Sequence, residues 1–331
     1  MNEEFNALVA NKDEEGNFSV GVKALGLNDL PDENVLIDID YSTLNYKDGL
    51  VVTDQGKVCQ KFPMVCGIDL AGTVVESDDP RWKSGDRVLA NGFGLSERYW
   101  GAYSQKQRIN GDFLVRVPEN FSNKDAMAIG TAGYTAMLCV NAIRDHGTIV
   151  SDGDILVTGS AGGVGSVAIL LLSKLGYKVC ASTGRPETAD YLKSIGASEV
   201  ISRDELSKKS RPLEKELWAA CVDSVGSTTI ATSLAQTKYN GIVAACGLAG
   251  GADLPSTVLP FILRNVCLQG VDSVMAPMDV RERAWNDLGA LLDPTVLSDV
   301  YTVEPLAKVP ELGAAILRGE IRGRVVVDVN A

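Results

Sequence analysis

Residues 155–165 read Ile-Leu-Val-Thr-Gly-Ser-Ala-Gly-Gly-Val-Gly, an apolar strand running through a glycine-rich turn into a helix start. Few local patterns restrict a fold more, because such a unit needs a parallel sheet to pack against. A pyrophosphate must approach backbone N–H groups at the positive end of the helix, where side chains would block it. Gly162 and Gly163 permit that approach, and Gly165 lets the helix lie close to the strand. The segment predicts dinucleotide binding, with an incidental tight turn as the alternative. Its spacing departs slightly from G-x-G-x-x-G, since the central turn is Gly159-Ser160-Ala161-Gly162.

The flanking pattern agrees with such a unit. Strand-like runs at Lys178–Ser182, Ala219–Asp223 and Gly241–Cys246 alternate with helical runs at Gly165–Leu175, Glu187–Ile195 and Thr228–Leu234. Alternation of this kind implies parallel strands with crossover helices. Upstream the character differs. Val35–Tyr41 alternates apolar and polar residues, and Gly72–Glu76, Arg87–Ala90 and Val115–Val117 are further strand candidates. A helix is expected from Ser122 onward, another at Arg281–Leu292, and a last strand at Arg324–Val329. The expectation is an α/β protein with a Rossmann-type doubly wound parallel sheet and a second, mostly β domain.

The end of the second strand of the βαβ unit bears on the cofactor. A site for NAD usually places Asp or Glu there to hold the ribose 2′-hydroxyl. Here the chain reads Ala181-Ser182-Thr183-Gly184-Arg185. A hydroxyl and a guanidinium suit a 2′-phosphate, so NADPH is favoured over NADH, the alternative being a solvated turn.

Composition removes several classes. The single histidine, His146, excludes any site that needs two histidines in one chain. Seven cysteines without a CxxC pair give no support to an iron–sulfur or zinc-ribbon centre, and suggest reduced thiols in the cytoplasm. A formal charge of −12 argues against nucleic acid or an anionic membrane as partner. The first residues are acidic where a signal peptide is basic, and no apolar run approaches the roughly 20 residues of a membrane span.

Other segments carry a family resemblance. Asn45-Tyr-Lys-Asp48, Gly67-Ile-Asp-Leu-Ala-Gly72, Gly130-Thr-Ala-Gly-Tyr-Thr-Ala136 and the glycine turn resemble the medium-chain dehydrogenase/reductase superfamily, in its zinc-independent quinone-oxidoreductase-like branch. Trp100-Gly101, Arg211–Lys215, Ala245–Gly251, Pro260–Asn265 and Gly270–Val274 resemble bacterial NADPH-dependent acrylyl-CoA reductases over nearly the full length. The resemblance implies a GroES-like catalytic domain at residues 1–125, completed by 300–331. A Rossmann NADPH-binding domain at 126–299 and an active site in the cleft between the domains go with it. The zinc ligands and structural zinc lobe of the alcohol dehydrogenases are missing from the matching stretches. Without a Lewis acid, reduction of an activated carbon–carbon double bond becomes the expected chemistry.

For that chemistry the resemblance implies site residues. Tyr46 is expected to orient cofactor and substrate or to donate the proton, with a packing aromatic as the alternative. Asn45 and Asp48 are expected to position the turn and the nicotinamide ribose, with a structural cap as the other reading of Asp48, and Asp69 takes a polar role where a zinc-site residue would stand. Ala161, Gly162, Gly163 and Val164 meet the pyrophosphate, and Thr183, Gly184 and Arg185 the 2′-phosphate. Arg203, Leu248, Ile262, Ser273 and Arg318 fall in stretches that contact the cofactor, Arg318 in a less well matched piece; core packing is the other reading of Leu248 and Ile262. Arg264, Arg322 and Arg324 either neutralise the phosphates of CoA or are solvated surface charges.

The implied reaction is NADPH-dependent reduction of acrylyl-CoA, or a related small enoyl thioester, to propionyl-CoA. Reduction of quinones or free enones is the alternative. A non-catalytic NADPH-binding or RNA-binding protein is the reading from another class, and the negative charge opposes its RNA form. A homodimer is expected, with the segment Asn265–Val274 extending a sheet across a two-fold axis.

Overall fold

A computed structural model describes residues 4–331, which divide into two units. One comprises residues 4–131, Ser273–Gly289 and Asp293–Ala331, and the other Ala132–Asp272 and Ala290–Leu292.

The second unit is built on six parallel strands. Their order is Glu199–Ser202, Val179–Thr183, Ile155–Val157, Trp218–Asp223, Thr237–Ala245 and Cys267–Gly270. In chain order this is 3-2-1-4-5-6, the doubly wound arrangement that opens a crevice beyond the carboxyl ends of the strands. Trp218–Asp223 is buried along its whole length, as befits a central strand covered on both faces. The helix Gly163–Lys174 follows the first strand and buries every residue from Gly165 to Leu172. An apolar run without a polar face can be stable only in such a covered position. The expected helix at 187–195 is split into a 3₁₀ turn, Pro186–Thr188, and a short helix, Ala189–Ser194, since Pro186 favours a helix start.

The first unit holds a seven-stranded sheet. Six strands run in the order Tyr301–Pro305, Arg324–Asp328, Val35–Thr43, Asp69–Ser77, Arg87–Asn91 and Val115–Arg116, and Lys106–Ile109 pairs with Val35–Thr43. All pairs are antiparallel except Tyr301–Pro305 with Arg324–Asp328. The carboxyl-terminal strand thus lies beside a strand some 280 residues upstream: Val326 faces Thr43. A three-stranded sheet joins Phe18–Gly26, Glu4–Lys12 and Met64–Val65. Its amino-terminal hairpin turns through residues 13–17, and the sequence reading places no strand there.

The helix Asn123–Asp145 starts where Ser122 and Asp125 exchange a capping pair: Asp125 N–H donates to Ser122 Oγ at 3.1 Å, and Ser122 N–H to Asp125 Oδ2 at 2.9 Å. Gly130 interrupts it with φ 52°, ψ −162°. By length and composition this helix could cross a membrane, but 89% of its apolar window is buried inside the protein.

Candidate active site

In the first unit, a set of buried polar groups gathers around Asp69. Asn45 precedes the short helix Tyr46–Val52, and Asp69 opens the strand Asp69–Ser77. Both are buried, and Asn45 Nδ2 donates to Asp69 Oδ2 at 2.8 Å. Two expected site residues 24 positions apart are therefore in direct contact. The kink at Gly130 frees the Thr131 N–H, which donates to the same oxygen at 2.8 Å. Asp69 Oδ1 accepts from Asn91 Nδ2 at 2.8 Å and from the Thr131 hydroxyl. A Cβ on Gly130 would stand 2.6 Å from an Arg324 nitrogen and 2.5 Å from a Thr43 methyl, so glycine is required by space as well as by φ.

Asp48 is the second buried carboxylate. It accepts from Asn45 N–H at 2.9 Å, Asn45 Nδ2 at 3.1 Å and Ile68 N–H at 3.1 Å. Burial pushes its carboxyl up to about 7, helped by the charge of Asp69 and opposed by these hydrogen bonds. Arg324 supplies positive charge from the last strand. It donates to Ala128 O at 3.2 Å, Leu44 O at 3.1 Å, Thr43 Oγ1 at 2.8 Å and Asn45 Oδ1 at 3.3 Å. Burial draws its pKa down, against the pull of Asp69 and Asp48.

Arg324 is only 2% exposed, which corrects both expectations for it. It is neither a solvated surface charge nor turned outward toward CoA phosphates. Arg264 is corrected likewise, since its guanidinium donates to the carbonyls of Ala235, Thr237 and Glu214 and pairs with Glu216. Arg322 is exposed.

Tyr46 differs from its neighbours. It is 44% exposed, and its hydroxyl has no hydrogen-bond partner among the described residues. It therefore presents a free O–H from the first turn of a helix whose start is fixed by Asn45 and Asp48. Ser273 lies in the same unit, where Arg281 holds its carbonyl at 3.4 Å. Arg318 is exposed and forms a two-pronged pair with Glu320 at 2.8 and 2.7 Å.

A zinc ion does not fit this donor set. Both oxygens of Asp69 are filled by four hydrogen bonds, and a guanidinium supplies the positive charge beside the carboxylates. Among the described residues no three His, Cys, Asp or Glu side chains come together to hold a metal.

The second unit presents the other half of the chemistry. Gly159 has φ +59°, and a Cβ there would collide with Ser224 Oγ at 2.4 Å. Gly162 precedes the helix Gly163–Lys174 with no side-chain cap, which leaves the first-turn N–H groups to a ligand. A Cβ on Gly165 would meet the Ser160 Cα at 2.5 Å, so this glycine brings helix and turn together. Arg185 reaches across from the second strand and donates to Ala161 O at 3.1 Å, while its N–H donates to Thr183 Oγ1 at 3.1 Å. Arg203 packs on Gly184 so closely that a Cβ there would stand 2.5 Å from its Nε. Two guanidiniums thus flank Thr183-Gly184, the place where an NAD site would carry an acid. Leu248 and Ile262 are 64% and 68% exposed, which removes core packing as their role.

A family model for the alcohol dehydrogenase GroES-like domain matches residues 31–140, and one for zinc-binding dehydrogenases matches 163–288. Acrylyl-CoA reductase AcuI of Ruegeria pomeroyi is 53% identical, across 99% of this chain and 100% of the relative. A probable acrylyl-CoA reductase of Escherichia coli is 50% identical across 96% and 98%, and a putative quinone oxidoreductase, YhfP, of Bacillus subtilis is 45% identical across 98% of each. Among solved structures, the Salmonella enterica yhdH oxidoreductase in complex with NADP superposes with a TM-score of 0.95 at 49% identity, covering 98% of this chain and 99% of that one. The Bacillus subtilis yhfP protein with NAD bound also gives 0.95, at 44% identity and the same coverage. Together the GroES-like and parallel-sheet units define a two-domain dehydrogenase. The chain belongs to the medium-chain dehydrogenase/reductase superfamily, in its quinone-oxidoreductase-like branch.

Asn91, Arg281 and Arg324 support this candidate site, Arg281 by donating to the Asn91 carbonyl at 2.7 Å, and sequence reasoning missed or misread all three. Arg324 carries one usable signal, a cation at the head of an otherwise apolar run, Arg324-Val-Val-Val. Asn91 and Arg281 carry none.

Proposed function

We propose that the protein reduces the carbon–carbon double bond of acrylyl-CoA with NADPH and a proton, giving propionyl-CoA and NADP⁺. The observation that carries this reading is the full-length likeness to two proteins named as acrylyl-CoA reductases. The choice of NADPH is supported by Arg185 and Arg203 around Gly184, which offer charge-assisted hydrogen bonds to a 2′-phosphate. The first unit acts as the catalytic domain and the second as the cofactor domain.

Bound nicotinamide supplies a hydride for the β-carbon of the enoyl thioester. The protein's part is to hold that cofactor and manage the charge and proton that follow. Ala161, Gly162, Gly163 and Val164 receive the pyrophosphate on backbone N–H groups, and Thr183, Gly184, Arg185 and Arg203 the 2′-phosphate. Leu248 and Ile262 offer apolar surface for the cofactor, with Ser273 and Arg318 as further contacts. As negative charge develops on the thioester oxygen, the hydroxyl of Tyr46, exposed and without a partner among the described residues, stabilises it and donates a proton toward the α-carbon. Asn45 and Asp69 hold the backbone from which Tyr46 projects.

Comparison of kcat/KM for acrylyl-CoA, free acrylate and a small quinone, each with NADPH and with NADH, tests the reading. A preference for acrylyl-CoA with NADPH is expected. The second reading, a quinone or free-enone reductase, is favoured by the likeness to the putative quinone oxidoreductase YhfP and is established if those substrates win.

The strand Cys267–Gly270 ends the parallel sheet and is half-buried to exposed, an edge suited to pairing with a second copy as a homodimer. Light scattering on the purified protein gives its mass. A cytoplasmic location is supported by seven free thiols, four of them buried.

A further inference from the structure

The carboxamide of Asn45 is held in one sense only. Its Nδ2 faces two carboxylates, Asp69 at 2.8 Å and Asp48 at 3.1 Å, while its Oδ1 faces the Arg324 guanidinium at 3.3 Å. A flipped amide would turn oxygen toward both carboxylates and an NH₂ toward a cation. The same guanidinium grips Thr43 and Leu44, the two residues just before Asn45, and Ala128, two residues before the Gly130 kink. It joins three stretches that sequence keeps far apart: its own carboxyl-terminal strand, the strand-to-helix junction Thr43–Asn45 that precedes Tyr46, and the helix that delivers Thr131 to Asp69.

We propose that Arg324 is a positioning residue for the reaction: its planar fork fixes the Asn45 carboxamide and so the attitude of Tyr46, giving the catalytic unit a rigid site in which no metal orders the ligands. This rests on the reading of Asn45 and Tyr46 as site residues. The fork matters in addition to the charge. A lysine brings one nitrogen, which cannot serve the Ala128 and Leu44 carbonyls, the Thr43 hydroxyl and the Asn45 oxygen from their different directions. The guanidinium makes these bonds with its three nitrogens spread over a plane.

The test compares wild type with Arg324→Lys, Arg324→Met and Thr43→Val. NADPH-binding sites are counted by fluorescence titration, and kcat is expressed per binding site. NADPH affinity is expected within about twofold of wild type in all three, because the glycine turn, Arg185 and Arg203 belong to the other unit. Per site, kcat is expected to fall about 10²-fold in both Arg324 variants, the scale of a small misplacement of a reacting group. A smaller fall is expected in Thr43→Val, which removes one bond from the guanidinium, together with the hydroxyl's own bond to the Val325 carbonyl, and keeps the charge. Wild-type kcat per site in Arg324→Lys would show that charge alone suffices and overturn the proposal. So would a loss of activity that only follows the loss of binding sites. Should neither Arg324 variant fold, Thr43→Val decides: lowered kcat per site sustains the proposal and unchanged kcat overturns it. Wild type that fails to oxidise NADPH with acrylyl-CoA sinks the substrate assignment instead, and the Arg324 comparison is then made on the enone or quinone that wild type does reduce.

Discussion

Asn91 donates its side-chain amide to Asp69 Oδ1 at 2.8 Å, and its own oxygen accepts from Trp285 Nε1 at 3.1 Å. The helix Met278–Leu291 therefore braces the carboxylate through one intermediary. Arg281, one turn before Trp285, adds to the brace by donating to the Asn91 carbonyl at 2.7 Å and covering the Phe93 ring at 4.0 Å. Asn91→Leu keeps the volume but removes an acceptor of the buried Trp285 indole N–H and one of the donors to Asp69. The expected cost is about 1–3 kcal/mol of unfolding free energy, read from urea denaturation. A lowered kcat should accompany it, since Asp69 loses one of the bonds that hold it.

Arg203→Ala is expected to raise KM for NADPH by about tenfold and leave KM for NADH unchanged, because only the phosphorylated ribose uses the lost charge. Arg185→Ala should do the same and also loosen the turn, since it removes the bond to the Ala161 carbonyl. Equal effects on both cofactors from Arg203→Ala would refute the 2′-phosphate assignment.

The cofactor half of the site was legible because its signals are local. A strand, a glycine turn and the residues closing the next strand all lie within about 30 positions, and each glycine answers a contact that the structure shows at Gly159, Gly165 and Gly184. The candidate catalytic half offered signals only at Asn45, Tyr46, Asp48 and Asp69, through their motifs. Its supports come from elsewhere: Trp285 lies 194 residues from Asn91, and Arg324 lies 279 from Asn45. Periodicity carries no information about such pairings. An arginine near a chain end reads as surface charge until the sheet places its strand beside Val35–Thr43.

Tyr46→Phe separates the roles open to the phenol. Loss of a positioned acid typically costs 10²–10⁴-fold, so kcat is expected to fall at least about 10²-fold. Stability should stay within about 0.5 kcal/mol, since the side chain is 44% exposed and its hydroxyl has no partner to lose among the described residues. A rate within about twofold of wild type would make solvent the proton source.

Asp48 predicts a pH dependence with a definite sign. Its carboxyl is raised in the folded state to about 7, above the value near 4 of an unfolded aspartate. The folded state therefore holds its proton more tightly, and the stability gained from that proton is fully present below about pH 4. It is lost progressively as pH rises through about 7. The charged groups facing it are Asp69 and Arg324, with Tyr103 and Cys66 buried nearby. Asp48→Asn removes the titration, so urea midpoints between pH 5 and 8 should fall less steeply with pH in the variant than in wild type. Parallel curves would place the titration on another group.

Two glycines of the turn make opposite demands, and their alanine variants should part accordingly. At Gly165 a Cβ would meet the Ser160 Cα at 2.5 Å and the Gly159 carbonyl at 2.6 Å. Both are backbone atoms that cannot swing aside, so Gly165→Ala must push helix and turn apart, at an expected cost of about 1–3 kcal/mol in unfolding free energy. At Gly162 the nearest atom is the Gly159 carbonyl at 3.2 Å, a contact relieved by a few tenths of an ångström. The backbone there is extended, φ −86° and ψ 177°, which alanine adopts freely. Gly162→Ala should therefore melt close to wild type, while its methyl group intrudes where the pyrophosphate must reach the helix N–H groups. Its expected effect is a rise of about tenfold or more in the dissociation constant for NADPH, measured by fluorescence titration. Unimpaired NADPH binding by Gly162→Ala would move the pyrophosphate away from this turn.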